Sequence, residues 1–209
     1  MTKSDKAFIG ILVDRSGSMR ACKDDMEGGL NAFIEEQAQQ PGRAELSLAQ
    51  FDTEYEVVHD FMAIQKAPKY ELMPRGRTAL LDAMAHFIIH VGEQLAALTE
   101  SDRPGTVIIN IVTDGLENAS REWTDKSRVK ELVEHQKRKY GWKFIFLGAN
   151  MDAVDEGDAL GIDADASLTW SPDNAKGAYS IAGNYVTALR SGEAAGFTDE
   201  DRKRALSKP

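Results

Sequence analysis

Phe8-Ile9-Gly10-Ile11-Leu12-Val13-Asp14-Arg15-Ser16-Gly17-Ser18-Met19 joins an apolar run directly to a polar, hydroxyl-rich loop. The apolar run from Ala7 to Val13 is nearly unbroken and stops abruptly at a carboxylate, a guanidinium and two hydroxyls. Runs of this kind suit a strand buried on both faces of a parallel sheet, because neither face has to alternate toward water. Lys3 and Lys6 precede the run and give it a superficial likeness to a secretory leader. It is short for that purpose, ends in Asp14-Arg15 and lacks a small-residue cleavage pattern, so it reads as a strand.

Working outward, Val107–Val112 and Lys143–Leu147 repeat the same continuous apolar pattern. Arg43–Phe51 and Tyr55–Met62 alternate instead, and they flank the short polar turn Asp52-Thr53-Glu54. That pattern predicts a hairpin toward one edge of the sheet. Between the strands, apolar residues recur at helical spacing: Cys22, Met26, Leu30, Phe33 and Ile34, then Leu81, Met84, Ile88, Val91, Leu95 and Leu98. Asp125–Tyr140 reads as a charged helix and Asp152–Leu160 as a short one stopped by Gly161. Asp173–Arg190 reads as a closing helix. Gly28-Gly29 inside the first helix costs up to ~1 kcal/mol per glycine and points to close packing. Strand–helix alternation implies an α/β sandwich with right-handed crossovers. The expected sheet order is edge hairpin, first strand, then 107–112 and 143–148. Residues 1–190 are expected to form one domain, with 191–209 as a loosely ordered C-terminal tail.

The 209 residues carry 25 Lys+Arg against 34 Asp+Glu, a net charge of −9. With 42% apolar residues, the composition excludes a disordered, collagen-like or coiled-coil chain. The acidic balance argues against nucleic acid as the main partner, since phosphate binding needs concentrated positive charge. The longest run free of charged side chains, Gly177–Leu189, falls short of the ~20 apolar residues of a membrane span. A single cysteine, Cys22, excludes an intrachain disulfide and CxxC-type zinc sites, so a cytoplasmic location is expected.

Ligands of open α/β sheets bind beyond the carboxyl ends of the strands. Three segments meet that rule: Asp14-Arg15-Ser16-Gly17-Ser18 after the first strand, Thr113-Asp114-Gly115 after the strand 107–112, and Thr78 before the second amphipathic helix. Asp14, Ser16, Ser18, Thr78 and Asp114 together make an all-oxygen set that suits Mg²⁺ or Mn²⁺. Two carboxylates against a divalent cation come to about zero, which leaves room for one more anionic ligand. Taken singly, each residue has a simpler use, because Asp14, Ser16, Ser18 or Thr78 can cap a helix and Asp114-Gly115 is a common turn.

Asp14-x-Ser16-Gly-Ser18, a separate Thr78 and Thr113-Asp114-Gly115 resemble the metal-ion-dependent adhesion site of von Willebrand factor A-like domains, of the small prokaryotic or phage type. The resemblance spans roughly residues 7 to 190. It implies a Rossmann-like, mostly parallel central sheet with one antiparallel edge strand and helices on both faces. It further implies Mg²⁺ or Mn²⁺ held by those five residues, and recognition of a protein partner whose acidic side chain completes the metal shell. Arg15, Met19 and Arg77, with Glu117 and Asn118, are expected to form the rim that meets the partner.

Competing sites are weaker. Asp82, His86 and His90 align on one helix face as a conceivable zinc site, yet opposite Met84, Ile88 and Val91 they read as a solvated stripe. The acids of 152–165 do not match a calcium loop. They read as a solvated helix, and the basic run 121–139 as an ordinary outer face. The main functional rival is a Mg²⁺-dependent hydrolase or phosphotransferase on a similar sheet. A haloacid-dehalogenase-type site needs an acid where Ser16 stands, and no phosphate-loop or dinucleotide glycine motif is present.

Overall fold

A computed structural model describes residues 3–193 and 196–208 of the chain. The strand that opens the sequence, β1 (Lys3–Asp14), lies in the middle of a six-stranded sheet. It is flanked by β2 (Arg43–Phe51) and β4 (Pro104–Thr113), both parallel to it. β3 (Tyr55–Ala63) pairs antiparallel with β2 at one edge, as the alternating hairpin pattern predicts. On the other side β5 (Lys143–Ala149) and β6 (Ser167–Trp170) continue the parallel set, giving the order β3-β2-β1-β4-β5-β6. β6 is absent from the sequence reading, because four residues are too few to show a period. Its Leu168 and Trp170 are nevertheless fully buried.

Helices cover both faces. α1 (Lys23–Gln39), α5 (Ala175–Ser191) and α6 (Asp199–Leu206) pack on the side of Ile9, Ile11 and Val13. α2 (Leu80–Ala97), α3 (Lys126–Tyr140) and α4 (Ala153–Ala159) pack on the side of Phe8 and Leu12. The alternation of β1 therefore feeds two cores, which is why its apolar run has no polar face. Of the Gly28-Gly29 pair, Gly29 is explained by the α1–α5 contact. A Cβ on Gly29 would stand 2.8 Å from a Tyr179 ring carbon and 3.0 Å from the Lys176 Cα.

One expectation is corrected. Of the tail 191–209, residues 194, 195 and 209 lie outside the described residues, but the rest is anchored. Phe197 is buried with its ring 5.0 Å from that of Tyr185, and α6 starts on a capping box between Thr198 and Asp201. Arg202 then donates to the carbonyls of Ser167 (2.8 Å) and Ala164 (2.7 Å), tying the helix to β6. The sequence conceals this because α6 is polar almost throughout and buries only Ala205. The acids of 152–165 and the bases of 121–139 lie largely at the surface, as expected, and they also meet each other across space. Lys126 meets Glu156 at 2.6 Å and Lys137 meets Asp163 at 2.8 Å, so the two runs close one seam. No described helix is long and apolar enough to cross a membrane.

Candidate metal centre

The register of the central strands builds the site. Val13 pairs with Val112, which brings Asp14 beside Thr113 as both strands end. Asp14 is fully buried; its Oδ2 lies 2.7 Å from the Thr113 hydroxyl, and its Oδ1 accepts the Ser16 N–H at 2.6 Å. The chain then turns so that the Ser16 and Ser18 hydroxyls stand 3.0 Å apart, and Ser18 Oγ donates to Asp114 Oδ1 at 2.8 Å. The two carboxylates are thus joined through the serine pair. Thr78 enters from a third loop. A Cβ placed on Gly115 would lie 3.5 Å from Thr78 Oγ1 and 4.0 Å from Ser18 Oγ, so the three loops meet where Gly115 has no side chain. Ser16, Thr78 and Asp114 are buried, whereas Ser18 is exposed and opens the cluster to solvent.

The capping use of these residues is not what they do. Neither the short 3-10 helix Gly17–Cys22 after Ser16 nor the starts of α1 and α2 have a side-chain cap bond. The N-terminus of α2 is served instead by Glu117, whose carboxylate accepts the Leu81 N–H at 2.9 Å.

Electrostatically the pair is strained. Burial pushes the Asp14 carboxyl up to about 7, against the pull of hydrogen bonds from Thr113 and Ser16, and the Asp114 charge adds to the rise. Burial likewise raises Asp114, against the Ser18 hydrogen bond. Neither carboxylate has an ion-pair partner among the described residues, although Arg15 follows Asp14 in sequence. Two desolvated carboxylates joined by hydroxyls, with no protein cation to neutralise them, fit a hard divalent cation.

The structure rearranges the expected rim. Arg15 is 5% exposed and turns to the β2–β3 hairpin, donating to Asp52 at 3.0 Å and to Glu56 at 2.7 Å. Met19 is 0% exposed and belongs to the core, so neither residue lines the surface. Glu117 faces inward, accepting the N–H groups of Ala119 (2.8 Å) and Ser120 (2.7 Å) as well as that of Leu81. Arg77 is exposed and donates to the Asn118 carbonyl at 2.6 Å, while Asn118 Oδ1 accepts the Thr78 N–H at 3.1 Å. Leu116 and Met73, absent from the sequence reading, are exposed apolar residues on the same two loops. Asn150, in the left-handed region at φ 57°, donates to the Asp114 carbonyl at 3.1 Å. Asp52 and Thr113 were also missed as supports. Thr113 was legible as part of the Thr-Asp-Gly motif, whereas nothing local marks Asp52.

The alternative sites dissolve. Asp82 is occupied by the N–H groups of Arg121, Glu122 and Trp123, while His86 pairs with Glu122 and His90 with Asp60. Among the described residues no three His, Cys, Asp or Glu side chains gather to hold a metal. A cavity of about 470 Å³ between α2 and α3 is lined mainly by apolar side chains such as Ile88, Val107 and Trp142, and includes none of Asp14, Ser16, Ser18, Thr78 and Asp114.

No family model matches the sequence, and no curated protein matches it. Solved structures do match. The von Willebrand factor domain of the type V pili tip protein Mfa5 from Porphyromonas gingivalis aligns with TM-score 0.62 at 11% identity, covering 93% of this chain and 98% of that one. Proximal thread matrix protein 1 from the mussel byssus also aligns with TM-score 0.62, at 13% identity over 88% of this chain. The match covers 46% of that protein, so this chain spans just under half its length. A further structure of the mussel protein, described as having a zinc-occupied metal-ion-dependent adhesion site motif, aligns with TM-score 0.52 at 14% identity, over 83% of this chain and 46% of that one. At these identities the likeness establishes the fold, that of a von Willebrand factor A domain.

Proposed function

We propose that this von Willebrand factor A-folded chain is a divalent-metal-dependent protein-binding module and not an enzyme. In this reading Asp14, Ser16, Ser18, Thr78 and Asp114 hold Mg²⁺ or Mn²⁺, and a partner protein supplies an acidic side chain as a further ligand. The observation that carries it is the pair of desolvated, cation-free carboxylates joined through Ser16 and Ser18 at the carboxyl edge of the sheet. A bound divalent cation supplies a Lewis-acid centre that neutralises the two aspartates and attracts a third anion. Asp14 and Asp114 furnish the charge, the hydroxyls furnish neutral oxygens, and the Gly115 gap leaves space between the loops. Arg77, with Leu116 and Met73, offers a positive and apolar surround, which favours an acidic side chain flanked by apolar surface. The net charge of −9 disfavours nucleic acid and anionic membrane as partners.

The hydrolase reading lacks a base for a serine nucleophile among the histidines. His59 faces the Pro68 carbonyl, His86 and His90 face carboxylates, and His135 meets the Tyr140 ring edge to face.

Thermal unfolding with and without Mg²⁺ or Mn²⁺ tests the metal. Binding to the native rim raises the melting temperature, by the equivalent of about 2.7 kcal/mol at one hundred times Kd. Asp14→Ala and Asp114→Ala remove the increment, and His86→Ala retains it. A full shift in Asp14→Ala overturns the site. For recognition, a captured partner is titrated in Mg²⁺ and in EDTA; equal affinity in both eliminates a metal bridge. Turnover of a phosphate or ester substrate that vanishes in Asp14→Ala favours the enzyme instead.

A further inference from the structure

Asp52 sits in the tight turn between β2 and β3, outside the five ligands, with a side chain only 1% exposed. Its Oδ2 accepts two guanidinium hydrogen bonds, from Arg15 Nε at 3.0 Å and Arg75 Nε at 2.7 Å. Its Oδ1 accepts the Glu54 N–H at 2.8 Å, so the carboxylate is filled from both ends. The backbone repeats the same links. Ala79 N–H donates to the Asp52 carbonyl at 2.9 Å, Arg75 N–H to the Arg15 carbonyl at 2.8 Å, and Gly17 N–H to the Gly76 carbonyl at 3.2 Å. Gly76 adopts φ +67°, and a Cβ there would stand 3.1 Å from Asp52 Cβ, so loop 75–79 wraps closely around the carboxylate.

One arginine thus comes from the Asp14–Ser18 loop and the other from the loop that carries Thr78, and both end on the same oxygen. We propose that Asp52 is a positioning residue for the metal centre, fixing the Thr78 loop against the Asp14–Ser18 loop through Arg15 and Arg75. Only an acceptor-only, charged group serves here. A neutral amide turns one of its two heads into a donor and weakens its hold on two cations. Ligand loops held loosely pay an ordering cost whenever a metal enters, so losing the clamp lowers affinity without removing a ligand. The effect on metal rests on the function proposed above; the loop clamp does not.

The test pairs Mn²⁺ titration by calorimetry with amide hydrogen exchange in EDTA, on the full chain. Asp52→Asn is expected to weaken Mn²⁺ binding by about 10- to 100-fold, the usual effect of losing an outer support. The amides of Gly17, Arg75 and Ala79 should exchange faster while those of Ile109 and Ile111 in β4 stay protected. Arg75→Gln, at a half-exposed residue that folding tolerates, should move both readouts the same way and less far. Glu54→Gln, at the exposed partner of Arg75, should leave Mn²⁺ affinity near wild type. Wild-type affinity in Asp52→Asn overturns the proposal, as does loosening of β4 in step with the loop, which marks a general loss of stability. A wild-type protein that binds no Mn²⁺ defeats the metal-centre reading instead, and the exchange measurement still decides whether Asp52 holds the loop.

Discussion

Asp14 is a carboxylate placed where ionisation is costly, and that cost gives the site its pH behaviour. Its ordinary value of 3.8 is raised to about 7 in the fold, first by burial, with Asp114 adding to the rise and hydrogen bonds from Thr113 and Ser16 opposing it. Between those two values the folded protein holds a proton that the unfolded chain has released, so raising the pH favours unfolding. The Asp14 contribution is therefore present below pH 3.8 and is lost as the pH rises through about 7. In EDTA, the urea midpoint of the wild type should fall between pH 4 and 7 relative to that of Asp14→Asn, which keeps the shape without the titration. Because a metal competes with that proton, Mg²⁺ affinity should climb over the same interval and level off above it. A difference between the two proteins that is flat with pH would show that Asp14 does not carry the proton.

At the scale of elements, the α1–α5 pair shows how packing overrides propensity. Glycine inside a helix is intrinsically unfavourable, and alanine at an open position would gain up to ~1 kcal/mol. At Gly29 the new methyl would meet the Tyr179 ring at 2.8 Å and the Lys176 Cα at 3.0 Å, and backbone does not swing aside. Gly29→Ala is therefore expected to destabilise, by about 1–3 kcal/mol as for other overpacked sites. Urea unfolding reads this directly, and a stabilised variant would mean that the helices separate freely. The α3–α4 seam makes the complementary point. Two charge runs that look solvated in sequence pair across space through Lys126–Glu156 and Lys137–Asp163. Glu156 is partly sheltered and Asp163 exposed, and pairs open to water contribute little individually, so the seam sets the fit of the two elements more than their stability.

For the whole molecule, the C-terminal segment closes the core rather than trailing from it. Phe197 joins the core against Tyr185 of α5, and its N–H donates to the Asp165 carbonyl at 2.7 Å. Phe197→Ala should cost about 3–5 kcal/mol, the range for a buried phenylalanine truncated to alanine. The urea midpoint should drop accordingly, while Mn²⁺ affinity of the folded protein should stay near wild type, since no ligand loop is touched. An unchanged midpoint would return the segment to the status of a loose tail.

The order of the main elements, the four oxygen-bearing residues at and just after the ends of β1 and β4, and Thr78 ahead of α2 were all legible in the sequence. Those features are local: the period of an apolar run shows whether one face or two are buried, and Asp-x-Ser-Gly-Ser keeps its chemistry wherever the strand ends. The remaining features depend on residues far apart in the chain, which come together only on folding. Arg15 lies between two site residues, yet it turns from them toward Asp52 and Glu56 on the neighbouring hairpin. Met19, next to Ser18, turns into the core. β6 and α6 are too short or too polar to declare themselves, and they form because β5 and α5 offer an open edge and an uncovered surface. Asp52 carries no local mark, since its role exists only where two distant arginines arrive at one buried oxygen.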